Sequence, residues 1–303
     1  MKSQAQPPVG SDRRTEGTPS PRQRGLLALQ RAAGNAAVTA LLSDDGRPAL
    51  QRAGLSDTLQ EVLSTGSRTG RTTGAGPRGE GTLAAVQRDL AVSLRTMVDG
   101  AAPPTAAALI TAIRAAPAVE RRAVLGDTDL MRLIGSKLGS RQATPVASAL
   151  LEGTRKWKNP TDNDFFEYFY LNTGPGPRST ASTMNCWESI IYAAFLVNAV
   201  SADWVKKFYT DAFAAPDVNA AIWTLLGWTP ALPVYKAAGP AQPRTGQLVF
   251  YYTPGSPYPG HVAIYMGNGQ VMSLWHSPNN IDKIQLINIT DLAGRIQYGN
   301  APW

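Results

Sequence analysis

Polar and small residues fill the first 25 positions, where Pro, Gln, Ser, Gly and Arg leave almost nothing to bury. Ordering such a stretch costs conformational entropy with no compensating contact, so 1–25 is expected to be a disordered tail. From Leu26 the rhythm becomes helical. Leu26, Leu29, Ala33, Ala37, Val38 and Leu41 recur at three- and four-residue intervals around Gly34-Asn35, which predicts a short helical segment within 26–63. Residues 64–81 are rich in Gly, Thr and Arg and predict a flexible linker. Over 82–156, runs such as TLAAVQRDLAVSLRTMV and DTDLMRLIGSKL place Leu, Ile, Val and Ala on one face, with Thr105, Asp127 and Thr144 at cap or near-cap positions. A small all-α module is the expected result.

Beyond 157 two periods alternate. Trp187, Ile190, Ile191, Ala194 and Phe195 keep helical spacing, whereas LVFYY, HVAIYM and QVMSLW read as strands. The Asn268-Gly269 step between the last two runs predicts a tight hairpin. The fold class is therefore α+β for 157–303. An aromatic insertion over 199–239, with Trp204, Trp223 and Trp228, either packs or shapes a cleft.

Composition sharpens the same boundary. All 7 Trp, 10 Tyr and 7 Phe of the 303-residue chain stand at or after Trp157, as do the single Cys and both His. Residues 1–156 carry 21 basic and 13 acidic side chains, while 157–303 carry 8 and 9. The basic half has dispersed Arg, no interleaved aromatics and no nucleic-acid motif, so nucleic acid is not an expected partner. One Cys and two His exclude a disulfide framework and a Cys- or His-rich metal centre. No metal or cofactor is expected. The first residues lack the apolar core of a secretion signal, and no apolar run reaches the ~18 residues of a membrane span. Cytoplasmic synthesis is the corresponding expectation.

Chemistry must come from the C-terminal half, and Cys186 is the natural starting point. Asn185 can cap the helix that follows, with Glu188 three residues on completing a capping box. Cys186 then occupies the first helical residue, at an exposed tip. Free N–H groups and the partial positive charge there favour thiolate over thiol and can hold an oxyanion. A thiolate needs a base. His261 opens one arm of the hairpin and His276 closes the other, so antiparallel pairing returns the two rings to one end of the sheet.

These pieces resemble the papain-like NlpC cysteine peptidases and the related CHAP amidases: NCW at a helix start, TGQLVFYY, and GHVAIYMGNGQ, in the family's order over about 80 residues. The resemblance covers 160–303. It implies a papain-like fold, with Cys186 as nucleophile and His261 as general base and acid. The family's third polar position falls at Ser273, a weak orienter of imidazole. His276 is preferred as the third catalytic group, with Asn279 and Asn280 as neighbours that could substitute, and Asn185, Ser273 and Asn279 in supporting or oxyanion roles. Gln247 stands where the family carries the Asp of its "GD" step.

Leu26 to Leu42 resembles a short N-terminal motif, LQR..GN.AV..LL, of effectors carried by extracellular contractile injection systems. That resemblance implies a packaged toxin, loaded into the inner tube of an injection particle through its N-terminal segment. The joint expectation is a Cys-His hydrolase acting on an amide of peptidoglycan or of a target-cell protein. Acyl transfer, transglutamination or deamidation on the same fold is the alternative, as is a non-enzymatic cargo or tube protein.

Overall fold

The computed structural model describes residues 80–102, 104–239 and 242–303. The expected tail, the 26–63 segment and nearly all of the 64–81 linker lie outside these residues. Five helices come first: α1 (Glu80–Asp99), α2 (Ala106–Ala115), α3 (Ala118–Gly126), α4 (Thr128–Leu138) and α5 (Ser140–Leu150). Two expected caps are present, Thr105 accepting from the Ala108 N–H at 3.2 Å and Asp127 from the Leu130 N–H at 3.0 Å. Thr144 is not a cap. Gly139, at φ 73°, ends α4, and α5 restarts at once, so Thr144 lies inside it with its hydroxyl donating to the Ser140 carbonyl at 2.8 Å.

Pro145 inside α5 has a structural counterpart. A proline lacks the N–H that would bond four residues back, which leaves the Arg141 carbonyl without its helical donor, and the backbone of Gly246 comes up against that oxygen. A methyl group at Gly246 would lie 2.1 Å from it, and Gly246 holds φ 87°. Gly246→Ala is therefore expected to lower stability by about 3 kcal/mol through clash and left-handed strain together. Urea denaturation checks this, and a loss below ~0.5 kcal/mol would show that the contact constrains nothing.

After α5 come β1 (Lys156–Trp157), α6 (Asp164–Phe169), β2 (Thr183–Met184), α7 (Cys186–Leu196), α8 (Ala202–Ala214) and α9 (Val218–Leu225). The main sheet follows as β3 (Leu248–Tyr252), β4 (Pro259–Gly267), β5 (Gln270–Trp275), β6 (Lys283–Asn288) and β7 (Ile296–Gly299), in spatial order β6-β5-β4-β3-β7. Every neighbouring pair in it is antiparallel. Alternation decides the faces. Leu248, Phe250, Val262, Ile264, Met272 and Leu274 join the large core, while Val249, Tyr251, Ala263, Tyr265 and Val271 form a smaller cluster. The β4–β5 hairpin turns through Asn268 and Gly269, at φ 52° and 71°, as the Asn-Gly step predicts.

The chain is α+β, and its composition boundary at 156/157 is not a break in packing. Leu109, Ile113, Leu130, Ile134 and Leu150 share one buried cluster with Ile190, Ile191, Ile264 and Met272. Helix α4 approaches the end of α7 so closely that a methyl on Gly135 would meet the Val197 carbonyl at 2.0 Å. The front helices thus brace α7, the element that begins with Cys186. No helix among the described residues is long and apolar enough to cross a membrane.

Candidate active site

The first turn of α7 is held by the residues that its spacing singles out. Asn185 Oδ1 accepts from the Glu188 N–H at 3.0 Å, and Glu188 Oε2 accepts from the Asn185 N–H at 2.7 Å, a complete capping box. Glu188 is fully buried and accepts two further bonds, from Asn163 Nδ2 at 2.6 Å and from the Tyr209 hydroxyl. Burial outweighs these donors and pushes its carboxyl up to about 8. Helices α7 and α8 and the caps that begin α6 and α7 are thereby tied together at the start of the Cys186 helix.

Cys186 is the first residue of α7, but it does not stand at an exposed tip: it is 6% exposed. Burial pushes its thiol up to about 12, and the nearby Glu188 carboxylate adds to that rise. The N–H groups of Val262, Trp187 and Cys186 itself pull the other way. The helix-terminal effect expected from the sequence is present but loses to desolvation, since moving a charge out of water costs more than a partial dipole returns. The resting group is a thiol.

His261, on β4, is one residue from the Val262 N–H that serves the sulfur. Its ring is buried between Tyr251 and Trp275, with centroids 5.8 and 4.7 Å away. Nε2 lies 2.8 Å from Ser273 Oγ, whereas buried Nδ1 has no hydrogen-bond partner among the described residues. Burial brings its pKa down to about 3, so the ring rests neutral. With Nε2–H donating to Ser273, the Nδ1 lone pair is left free to take a proton. No hydrogen bond joins the sulfur to the ring in this resting arrangement.

The expectation that His276 orients His261 is overturned. His276 is exposed and its Nδ1 lies 3.1 Å from Asp282 Oδ1. Gly267 pairs with Gln270, a register that would carry His261 opposite His276, but a bulge before Gly267 resets the pairing to Tyr265 with Val271. One residue of slip turns every side chain to the other face, so Trp275 and Ser273 share the His261 side and His276 does not. Asn279 is also elsewhere, donating from Nδ2 to Gln285 Oε1 at 2.8 Å, and Asn280 is exposed. Ser273, at the position the family resemblance implies, is the residue that bonds the ring.

Asn185, Cys186 and His261 line one cleft of about 830 Å³. Asn185 Nδ2 is buried and without a partner among the described residues, as is Trp157 Nε1 in the same lining. Trp223 of the insertion lines the cleft, but Trp204 packs on Phe208 and Trp303, and Trp228 donates to Tyr252 Oη at 2.8 Å. The insertion therefore both packs and shapes the cleft. Trp157 and Trp275, which sit 5.7 Å apart edge to face in the lining, were not singled out by motif reasoning. Each merely ends an apolar or basic run, and nothing local sets it apart. Among the described residues no group of three His, Cys, Asp or Glu side chains could hold a metal ion. No protein-family model, curated protein or solved structure matches the chain.

Proposed function

We propose that 157–303 is a papain-like cysteine hydrolase that cleaves an amide bond of peptidoglycan or of a target-cell protein, and that the chain is an effector delivered by a contractile injection system. The observation that carries the enzymatic reading is a buried imidazole, bonded through Nε2 to Ser273 and without a partner at Nδ1 among the described residues, in one cleft with the sole thiol at a capped helix start. Delivery is supported by the motif at 26–42 alone.

The reaction begins from a neutral pair. Nδ1 of His261 takes the thiol proton as Sγ bonds the acyl carbon, and the carbonyl electron pair moves to oxygen. The Cys186 N–H and Asn185 Nδ2 are the donors for that oxyanion. When the C–N bond breaks, the leaving amine takes the proton from His261, and a thioester remains. Water attacks it by the reverse sequence, giving the acid and the thiol. Ser273 acts by positioning: its hydroxyl holds Nε2, and in the tautomer whose Nε2–H donates to it Nδ1 is the basic nitrogen. An active wild-type chain is expected to release new amino groups from cell-wall fragments or new N-termini from target-cell lysate, and to lose this after iodoacetamide. Absence of release from both substrates overturns the hydrolase reading.

A further inference from the structure

We infer that the cleft is built for an uncharged or basic polypeptide segment bearing an aromatic or large aliphatic side chain beside the scissile amide, and that it discriminates against acidic substrates. This rests on the hydrolase reading above and narrows it. Among the described residues Asp291 is the one charged side chain in the lining, and no Lys or Arg contributes to it. Trp157, Trp187, Trp223, Tyr251 and Trp275 supply apolar walls around Cys186 and His261, with the Tyr252–Pro257 segment as a rim. Flat rings of this kind bury aromatic and aliphatic groups well.

Polar recognition in the cleft is matched to carbonyl oxygens. Two buried donors lack partners among the described residues, Asn185 Nδ2 beside the nucleophile and Trp157 Nε1 along the wall. A buried donor left unpaired is costly, and a peptide backbone offers the acceptors that satisfy it. A carboxylate in the same space would be desolvated without a cation to meet it, and Asp291 would repel it. Arg295 belongs to a second groove of about 370 Å³ that shares Tyr252–Pro257 with the cleft, where its guanidinium covers the Tyr252 ring at 5.1 Å. Stem peptides of peptidoglycan carry free carboxylates. Of the two proposed substrate classes, the cleft thus favours a target-cell protein.

Acetylated dipeptidyl chloromethyl ketones ending in Phe, Lys or Glu test this on the full chain, with alkylation of Cys186 followed by intact mass and peptide mapping. The Phe probe is expected to react at least about tenfold faster than the Glu probe, and Asp291→Lys to narrow that ratio by speeding the Glu probe. A smaller preference in the wild type, or a faster Glu probe, overturns the inference while the hydrolase reading stands. Labelling by all three probes at rates unchanged in His261→Asn overturns both.

Discussion

Cys186→Ser and His261→Asn are each expected to lower kcat/KM by about a thousandfold or more, and the double variant to lose little beyond either single one. Groups that act as a unit in one proton-coupled attack do not contribute additively. Serine keeps the shape of the site but is a poorer nucleophile with a less acidic hydrogen. Asparagine at 261 keeps a polar side chain but offers no base. Ser273→Ala is expected to cost about tenfold, because the ring keeps its place between Tyr251 and Trp275 while losing the bond that orients Nε2. The pH profile separates positioning from mere packing. Since burial lowers the His261 pKa to about 3 and raises the thiol to about 12, kcat/KM of the wild type should show no step near the 6.5 of a free imidazole. Ser273→Asp places a carboxylate at Nε2, favours the imidazolium, and should bring an acid limb up toward neutrality. Full activity in His261→Asn would remove the base from the mechanism, and an unmoved limb in Ser273→Asp would remove Ser273 from it.

What could be read from residue order differs sharply between local and long-range features. The capping box at Asn185 and Glu188, the helix that starts at Cys186 and the Asn-Gly hairpin are local: each is decided within four residues by hydrogen-bond geometry, and each is present as its spacing predicts. The partner of His261 is a matter of register. A two-residue loop read without its bulge carries His261 to His276, and the extra residue before Gly267 carries it to Trp275 and Ser273 instead. Nothing in GHVAIYMGNGQ marks that bulge on its own; only the family's spacing points to Ser273. Burial is less legible still. Cys186 carries a capping pattern that points to an exposed tip, yet it is buried beside the Val262 backbone of β4, and desolvation then reverses the expected direction of its pKa. The same long-range packing erases the 156/157 boundary. Composition records where aromatic residues were used, while the core records which faces were free to meet.

Glu188→Ala should produce the largest loss of stability of any single change in the site, about 4 kcal/mol, with Glu188→Gln costing markedly less. The alanine variant removes the acceptor of the Asn185 N–H, of Asn163 Nδ2 and of the Tyr209 hydroxyl in a fully buried place. Asn163 keeps its second bond, to the Asn159 carbonyl at 2.8 Å, but the other two donors are left unpaired and a cavity opens beside them. Glutamine keeps an oxygen for the helix start. The two variants also divide in their pH dependence. The folded-state carboxyl holds its proton up to about 8 against 4.5 when unfolded, so its contribution is full below pH 4.5 and falls as pH rises toward 8. His261 runs the other way: with a folded value of about 3 against 6.5, its contribution is full above 6.5 and is lost as pH falls toward 3. Between 4.5 and 6.5 the slopes oppose one another, and the denaturation midpoint should be highest there. Above 6.5 only Glu188 acts among these two, with a limiting slope of about 1.4 kcal/mol per pH unit. Glu188→Gln should flatten that alkaline fall and leave the acid side unchanged, whereas His261→Asn should flatten the acid side alone. Midpoints measured from pH 4 to 9 decide it: an alkaline fall that survives in Glu188→Gln would mean that this carboxyl is already ionised in the folded protein, and that three donors outweigh its burial.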